Sequence, residues 1–163
     1  MISVDVMRCT GCRMCEVTCA YYHTGKTNRS LSRITVSQFF QKGIDGPVVC
    51  QQCVERYCLD CPQNALSIGS RGQVIVSPTL CNLCGKCVRA CPIGAIEIFE
   101  KIVRVCDLCG GFPRCVQVCT QKALIFSEPI SEAVSLESFR SKTGNSGVSE
   151  KRIQFICHKS VGL

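Results

Sequence analysis

The run C9-T-G-C-R-M-C-E-V-T-C19 sets four thiols at the spacing C-x2-C-x2-C-x3-C, and it is the first of four such groups. Cys50, Cys53, Cys58 and Cys61 form the second, Cys81, Cys84, Cys87 and Cys91 the third, and Cys106, Cys109, Cys115 and Cys119 the fourth. Of the seventeen cysteines only Cys157 stands apart. Thiols in fours are soft donors suited to zinc or to iron-sulfur clusters. A disulfide frame is the other use for so many cysteines, but it belongs to secreted chains. The opening M-I-S-V-D-V has neither the basic nor the apolar part of a secretory signal, so a cytoplasmic, metal-binding chain is expected.

Spacing separates the two metals. Structural zinc usually takes two C-x2-C pairs across a longer loop, often with histidine; here the only histidines, His23 and His158, occupy no repeated position. By contrast C81-N-L-C-G-K-C-V-R-A-C-P92 reproduces the bacterial ferredoxin run C-x2-C-x2-C-x3-C-P, whose fourth cysteine ligates the other cluster of a pair. Thiolates at every third position curl a loop around three corners of a cubane, and Gly11, Gly85 and Gly110 let backbone N–H groups approach the sulfurs. The fourth thiolate, about one helical turn further on, is free to serve a neighbouring cluster. Pro62 and Pro92 bias the cysteine before them towards extended backbone and end the turn there.

The quartet order, with a wider middle gap in the second and a fourth that reads C106-D-L-C-G-G-F-P-R-C-V-Q-V-C119, resembles the four-cluster electron-transfer subunits of molybdenum and tungsten pterin oxidoreductases. The first quartet followed by N28-R-S-L-S-R-I-T-V36 is most similar to the small iron-sulfur subunits of tungsten-dependent aldehyde oxidoreductase and benzoyl-CoA reductase complexes, which serve anaerobic metabolism. Subunits of hydrogenases and carbon monoxide dehydrogenases resemble it as well. The resemblance spans residues 1–126. It implies two nested ferredoxin-like modules, an outer one of residues 1–44 with 101–126 and an inner one of 45–100. It also implies four [4Fe-4S] clusters with crossed ligands: Cys9, Cys12, Cys15 and Cys119; Cys50, Cys53, Cys58 and Cys91; Cys81, Cys84, Cys87 and Cys61; and Cys106, Cys109, Cys115 and Cys19. The implied role is non-catalytic, relaying electrons between a large tungsten or molybdenum pterin subunit and a flavin- or ferredoxin-type acceptor. Copies associating end to end into a longer wire would extend that role.

The elements that must hold these loops are short. S3-V-D-V6, R33-I-T-V-S-Q-F39, G72-Q-V-I-V76, A95-I-E-I-F99 and A123-L-I-F126 read as strands, and the x3 steps as one-turn helices, giving an α+β fold. C61-P-Q-N-A-L-S-I, C91-P-I-G-A-I-E-I and C119-T-Q-K-A-L-I-F form an internal repeat of loop, helix and strand. Because C58-L-D-C61 is one residue short of the usual x3 step, Cys61 must be reached through a tighter turn. Continuous apolar sequence is scarce, so the clusters are expected to hold much of the fold together and the apo-protein to be poorly folded. In the tail, 127–163, Ala133, Val134, Leu136 and Phe139 suggest a helix capped by Ser131 after Pro129. R152-I-Q-F-I-C157 suggests a second short apolar element. This tail either docks on a partner subunit or covers the chain's own clusters.

Other features yield to plainer readings. The formal charge of +7 is largely counter-charge, since four oxidised clusters at about −2 each bring the holo-protein near −1; with only 6% aromatic residues, a nucleic-acid surface is disfavoured, as is a zinc scaffold. No stretch is long enough for a membrane helix. Arg8, Arg13, Lys86, Arg89, Arg104 and Arg114 flank the ligands as tuning charges or ordinary surface cations. His23 reads as a structural histidine ahead of a cluster-tuning one, Tyr21 and Tyr22 as packing groups, and Cys157 as a spare thiol.

Overall fold

The computed structural model describes residues 1–127 and 134–161. In chain order the elements are β1 (Ile2–Val4), α1 (Met14–Thr24), β2 (Thr35–Phe39), β3 (Ile44–Val48), β4 (Leu66–Ile68), β5 (Val74–Val76), α2 (Lys86–Ala90), β6 (Glu97–Phe99), β7 (Ile102–Arg104), α3 (Arg114–Val118), β8 (Leu124–Phe126), α4 (Glu137–Thr143) and α5 (Val148–Val161). The strands form two-stranded antiparallel pairs. Three are hairpins, β2–β3, β4–β5 and β6–β7, while β1–β8 joins the two ends of the cysteine-bearing region. There Ile2 lies opposite Phe126 and Val4 opposite Leu124. The pairing continues through the Met1 ammonium to Ser127 O (2.7 Å) and Asp5 N–H to Ala123 O (2.9 Å). This closure brings the first cysteine loop beside the fourth.

The internal repeat has a backbone cause. Three residues after Cys61, Cys91 and Cys119 stand Asn64, Gly94 and Lys122, all left-handed at φ +49, +65 and +53. That turn ends each cysteine loop and starts the following strand, with Asn64 N–H bonded to Cys61 O and Lys122 N–H to Cys119 O, both at 3.0 Å. The same residue types do not close the first loop. Ala20 follows Cys19 where proline follows Cys61 and Cys91, which leaves α1 free to run to eleven residues, whereas α3, with Thr120 after Cys119, still ends in about one turn. It stops at Gly25, left-handed at φ +70, whose N–H caps Tyr21 O at 2.8 Å. In the second loop the shortened step is met by a 3-10 turn, Tyr57–Leu59, with Cys61 N–H bonded back to Leu59 O at 2.7 Å.

The core is assembled from single residues of many elements. Ile2, Ile34, Val48, Val49, Ile93, Ile96, Leu108, Phe155 and Ile156 are buried, and Cys15, Cys19, Cys58, Cys87, Cys91, Cys106 and Cys115 are buried among them. The module boundary expected at 44/45 falls where β3 begins, and that at 100/101 falls in the β6–β7 turn. Two hairpins therefore bridge the outer and inner segments. The tail differs from the expected pair of short elements. Pro129, Ser131 and Ala133 lie outside the described residues, α4 begins only at Glu137, and Arg152–Cys157 is the middle of the fourteen-residue α5. α5 packs on β2, β3 and the turn Val6–Arg8, with Ile156 so close to Gly46 that a Cβ there would collide. No described helix is long and apolar enough to cross a membrane.

Candidate metal centres

Each cysteine loop carries the same backbone distortion. The residue two after the first cysteine is left-handed in all four: Gly11 (φ +66), Gln52 (+47), Leu83 (+61) and Leu108 (+60). Three of these carry side chains, a conformation that costs about 1 kcal/mol each and persists only where the surroundings impose it. Its effect is to turn N–H groups inward. Gly11, Gln52 and Leu108 donate to the sulfurs of Cys9, Cys50 and Cys106. Arg56 and Tyr57 donate to Cys53, and Arg114 to Cys109. Two further bonds are Arg33 N–H to Cys19 Sγ and Ala95 N–H to Cys91 Sγ, both 3.3 Å. Gly11 is doubly constrained, since a Cβ there would run into the Asp45 carboxylate. Loops of this form are nests of donors arranged to receive negative charge on sulfur.

In three places the thiols converge in sets that draw three cysteines from one loop and one from another. Cys9, Cys12, Cys15 and Cys119 line one cavity; Cys50, Cys53, Cys58 and Cys91 line another. Cys19 lies beside Cys106, Cys109 and Cys115, and Cys87 lies beside Cys81 and Cys61. Cys84 sits exposed at the rim of its loop, its N–H held by Asn82 Oδ1 at 3.2 Å. The sets also approach one another, for Cys115 feels Cys15 and Cys106 feels Cys50. Cys157, on α5, belongs to none of them.

Burial dominates the thiol chemistry. It pushes Cys15, Cys50 and Cys58 up to about 12, with neighbouring carboxylate or thiol charge adding to the rise and backbone N–H groups opposing it. Cys106 and Cys115 are raised by burial too. Such thiols ionise only when a cation neutralises them, which a metal centre does. The geometry disfavours a single zinc ion. Tetrahedral Zn–S bonds of about 2.3 Å hold the sulfurs about 3.8 Å apart. Yet among the described residues the group with three ligand atoms mutually within 4.8 Å is His23, Asp107 and Cys109, not a cysteine quartet. A cubane, being larger, suits the open sets. Gln52 adds an independent indication: it is 1% exposed, lines the Cys50 cavity, and has both amide atoms without a partner. A cluster there would offer sulfide acceptors to its N–H.

The flanking residues fall into place individually. Arg8 pairs with Asp5 (3.7 Å), Arg13 with Glu16 (3.3 Å) and Lys86 with Asp60 (2.9 Å). Arg89 donates to Cys84 O, Arg104 to Ser30 O, and Arg114 to Gln117 while lying over the Tyr22 ring. Tyr21, expected to pack, is instead 62% exposed on the outer face of α1, and Tyr22 is also exposed. The extra length of α1 carries His23 to 3.8 Å from Cys109 Sγ and 3.5 Å from Asp107 Oδ1; burial, then Arg33, lowers its pKa. Sequence reasoning passed over Arg33, Gln52 and Lys151. Arg33 binds Asp107 (2.5 Å) besides donating its N–H to Cys19, and Lys151 is a buried cation on α5. No local pattern marks them: Arg33 and Lys151 act across the fold, and Gln52 stands out only by its burial within its own cysteine loop.

Thiol loops of this form define a ferredoxin-type iron-sulfur protein, and residues 74–97 match the family described as a 4Fe-4S binding domain. The chain is 45% identical over 116 residues to the polyferredoxin-like subunit of aliphatic sulfonate oxidoreductase from Pyrococcus furiosus, covering 69% of this chain and 66% of that protein. It is 33% identical over 138 residues to the putative electron transport protein YsaA of Escherichia coli K12, covering 76% and 86% of the two chains. With the E. coli K12 electron transport protein HydN it shares 32% over 152 residues, covering 76% and 85%. The chain therefore belongs to the polyferredoxin-like iron-sulfur electron-transport proteins. Among solved structures it is similar to chains of the active site complex BamBC of benzoyl coenzyme A reductase. The two matches have TM-scores of 0.44 and 0.47 and identities of 24% and 25%, covering 94% and 92% of this chain and 96% and 94% of those.

Proposed function

We propose that the chain is a non-catalytic, cytoplasmic subunit that carries electrons through four [4Fe-4S] clusters between a large pterin oxidoreductase subunit and a second redox protein. The observation that supports this reading is the crossed convergence of thiols, with three from one loop and one from another around Cys9, Cys50 and Cys106, and Cys61 beside Cys81 and Cys87. The sets held by Cys9, Cys12, Cys15 and Cys119 and by Cys106, Cys109, Cys115 and Cys19 form the outer pair. Those held by Cys50, Cys53, Cys58 and Cys91 and by Cys81, Cys84, Cys87 and Cys61 form the inner pair. The approach of Cys115 to Cys15 and of Cys106 to Cys50 supports a path from the Cys9 set through the Cys106 set to the Cys50 set, and the Cys81 set completes it as one end of the relay.

A [4Fe-4S] cluster supplies a one-electron couple at each station. The chain's own part is to hold the thiolates, exclude water from the buried ones and aim N–H groups at the sulfurs. Those donors stabilise added negative charge. The tail acts as a cover in this reading: Leu136 lines the Cys50 cavity, Thr143 Oγ1 donates to Pro92 O at 3.0 Å, and Arg152 donates to Gly94 O at 2.8 Å. The tungsten or molybdenum partner rests on the sequence resemblance, and the relative named as an oxidoreductase subunit supports a catalytic partner of that general kind.

The test is anaerobic isolation of the tagged chain from its native cells. A co-purifying large subunit that contains tungsten or molybdenum, and through which an aldehyde reduces the chain's clusters, fits the proposal. Reduction by hydrogen or carbon monoxide instead would move the chain to a hydrogenase or carbon monoxide dehydrogenase complex.

A further inference from the structure

Lys151 is 2% exposed, an unusual place for an ammonium group. Its Nζ donates to Arg89 O at 2.7 Å and to Cys91 O at 3.3 Å, the carbonyls at the end of α2. Carbonyls at a helix C-terminus favour a cation, but they carry only partial charge. Among the described residues no carboxylate pairs with Lys151; burial works against its ammonium form and lowers its pKa, as does Arg140, and the neighbouring Cys91 thiol is the group that favours the charge. A buried charge without a counter-ion is strongly destabilising, so a compensating anion is to be expected. The anionic site that reaches it is the thiol set of Cys91.

Gln52 meets the same set from the opposite side of the sequence. Its buried amide lines the cavity of Cys50, Cys53, Cys58 and Cys91 and is unpartnered. A buried amine held by two carbonyls and an unpartnered amide N–H thus flank one thiol set, one supplied by the C-terminal helix and one by the cysteine loop.

We propose that Lys151 and Gln52 are the potential-setting groups of the cluster held by Cys50, Cys53, Cys58 and Cys91, with Lys151 serving as its buried counter-charge. This rests on the cluster assignment proposed above. Reduction adds one electron to that cluster and makes its total charge more negative, so a fixed cation and an N–H donor both favour the reduced form. The C-terminal helix is thereby part of the redox centre and not merely its cover.

The test uses the full-length holo-protein and three variants, Lys151→Met, Gln52→Leu and Thr143→Val, each titrated with dithionite and followed by electron paramagnetic resonance. Iron is counted in every sample. Thr143→Val removes a neutral anchor of the same tail, the hydroxyl bond to Pro92 O, and controls for packing. The expected result is that one of the four couples becomes harder to reduce by on the order of tenfold in Lys151→Met, about 59 mV for a one-electron couple. Gln52→Leu shifts the same couple in the same direction by less, and Thr143→Val leaves it in place. Loss of one cluster from Lys151→Met alone has the same meaning, because the uncompensated site is then too costly to fill. Unchanged couples in Lys151→Met, or an equal shift in Thr143→Val, overturn the proposal. Wild-type protein without iron-sulfur clusters would instead overturn the cluster assignment on which it rests.

Discussion

Removing Cys19 should empty a centre that its own loop does not build. Cys19 is buried on α1, one turn beyond Cys15, yet its thiol neighbours are Cys106, Cys109 and Cys115. Burial raises Cys106 and Cys115, so three thiolates without a fourth ligand leave uncompensated charge in the interior. We expect Cys19→Ala to lose one whole cubane rather than a single iron, falling from about sixteen irons per chain to about twelve. Paired substitutions then identify the cubane without spectral assignment, because residues serving one centre are non-additive. Cys19→Ala with Cys115→Ala should stay near twelve irons, whereas Cys19→Ala with Cys12→Ala should fall to about eight. The assay is iron and acid-labile sulfide per chain in anaerobically prepared protein. The opposite pattern, with the Cys12 pair near twelve and the Cys115 pair near eight, would refute the crossed ligation.

Three further outcomes follow from the same geometry. Ending the chain at Ser127 uncovers the cavity that Leu136 lines, so about four irons should be lost and the rest kept; full iron content would show that the tail is no cover. Gly94→Ala forces a side chain into φ +65 with its Cβ 2.8 Å from Val148 O, which costs about 1–3 kcal/mol and should loosen α5 to limited proteolysis. Because the clusters hold much of the fold together, chelating the iron should leave the chain poorly folded; a cooperative thermal melt that survives iron removal would show that the core holds itself.

The cysteine loops were legible because thiol spacing is a local signal, and so was the repeated loop, helix and strand. What the sequence hid was set by distant contacts. β3 reads I-D-G-P-V, with a glycine and a proline that look like a turn, but Gly46 is there to admit Ile156 of α5. α5 itself buries Lys151, Phe155 and Ile156, and a charged residue in that stripe breaks the apolar pattern by which a helix is recognised. The length of α1 was only half readable, since Ala20 removes the proline that would have stopped the helix but Thr120 does the same after Cys119 and α3 stays short. That length brings His23 beside Cys109, which no spacing rule foretells. Gln52 looks like an ordinary polar loop residue until its left-handed backbone and burial are seen together.

The central claim, four cubanes on sixteen of the seventeen cysteines, is tested most directly by metal and sulfide analysis of the anaerobically purified full chain. The account predicts about sixteen irons and a similar number of labile sulfides per chain, with no stoichiometric zinc. Bound zinc without sulfide, or iron that saturates near eight per chain, would contradict it.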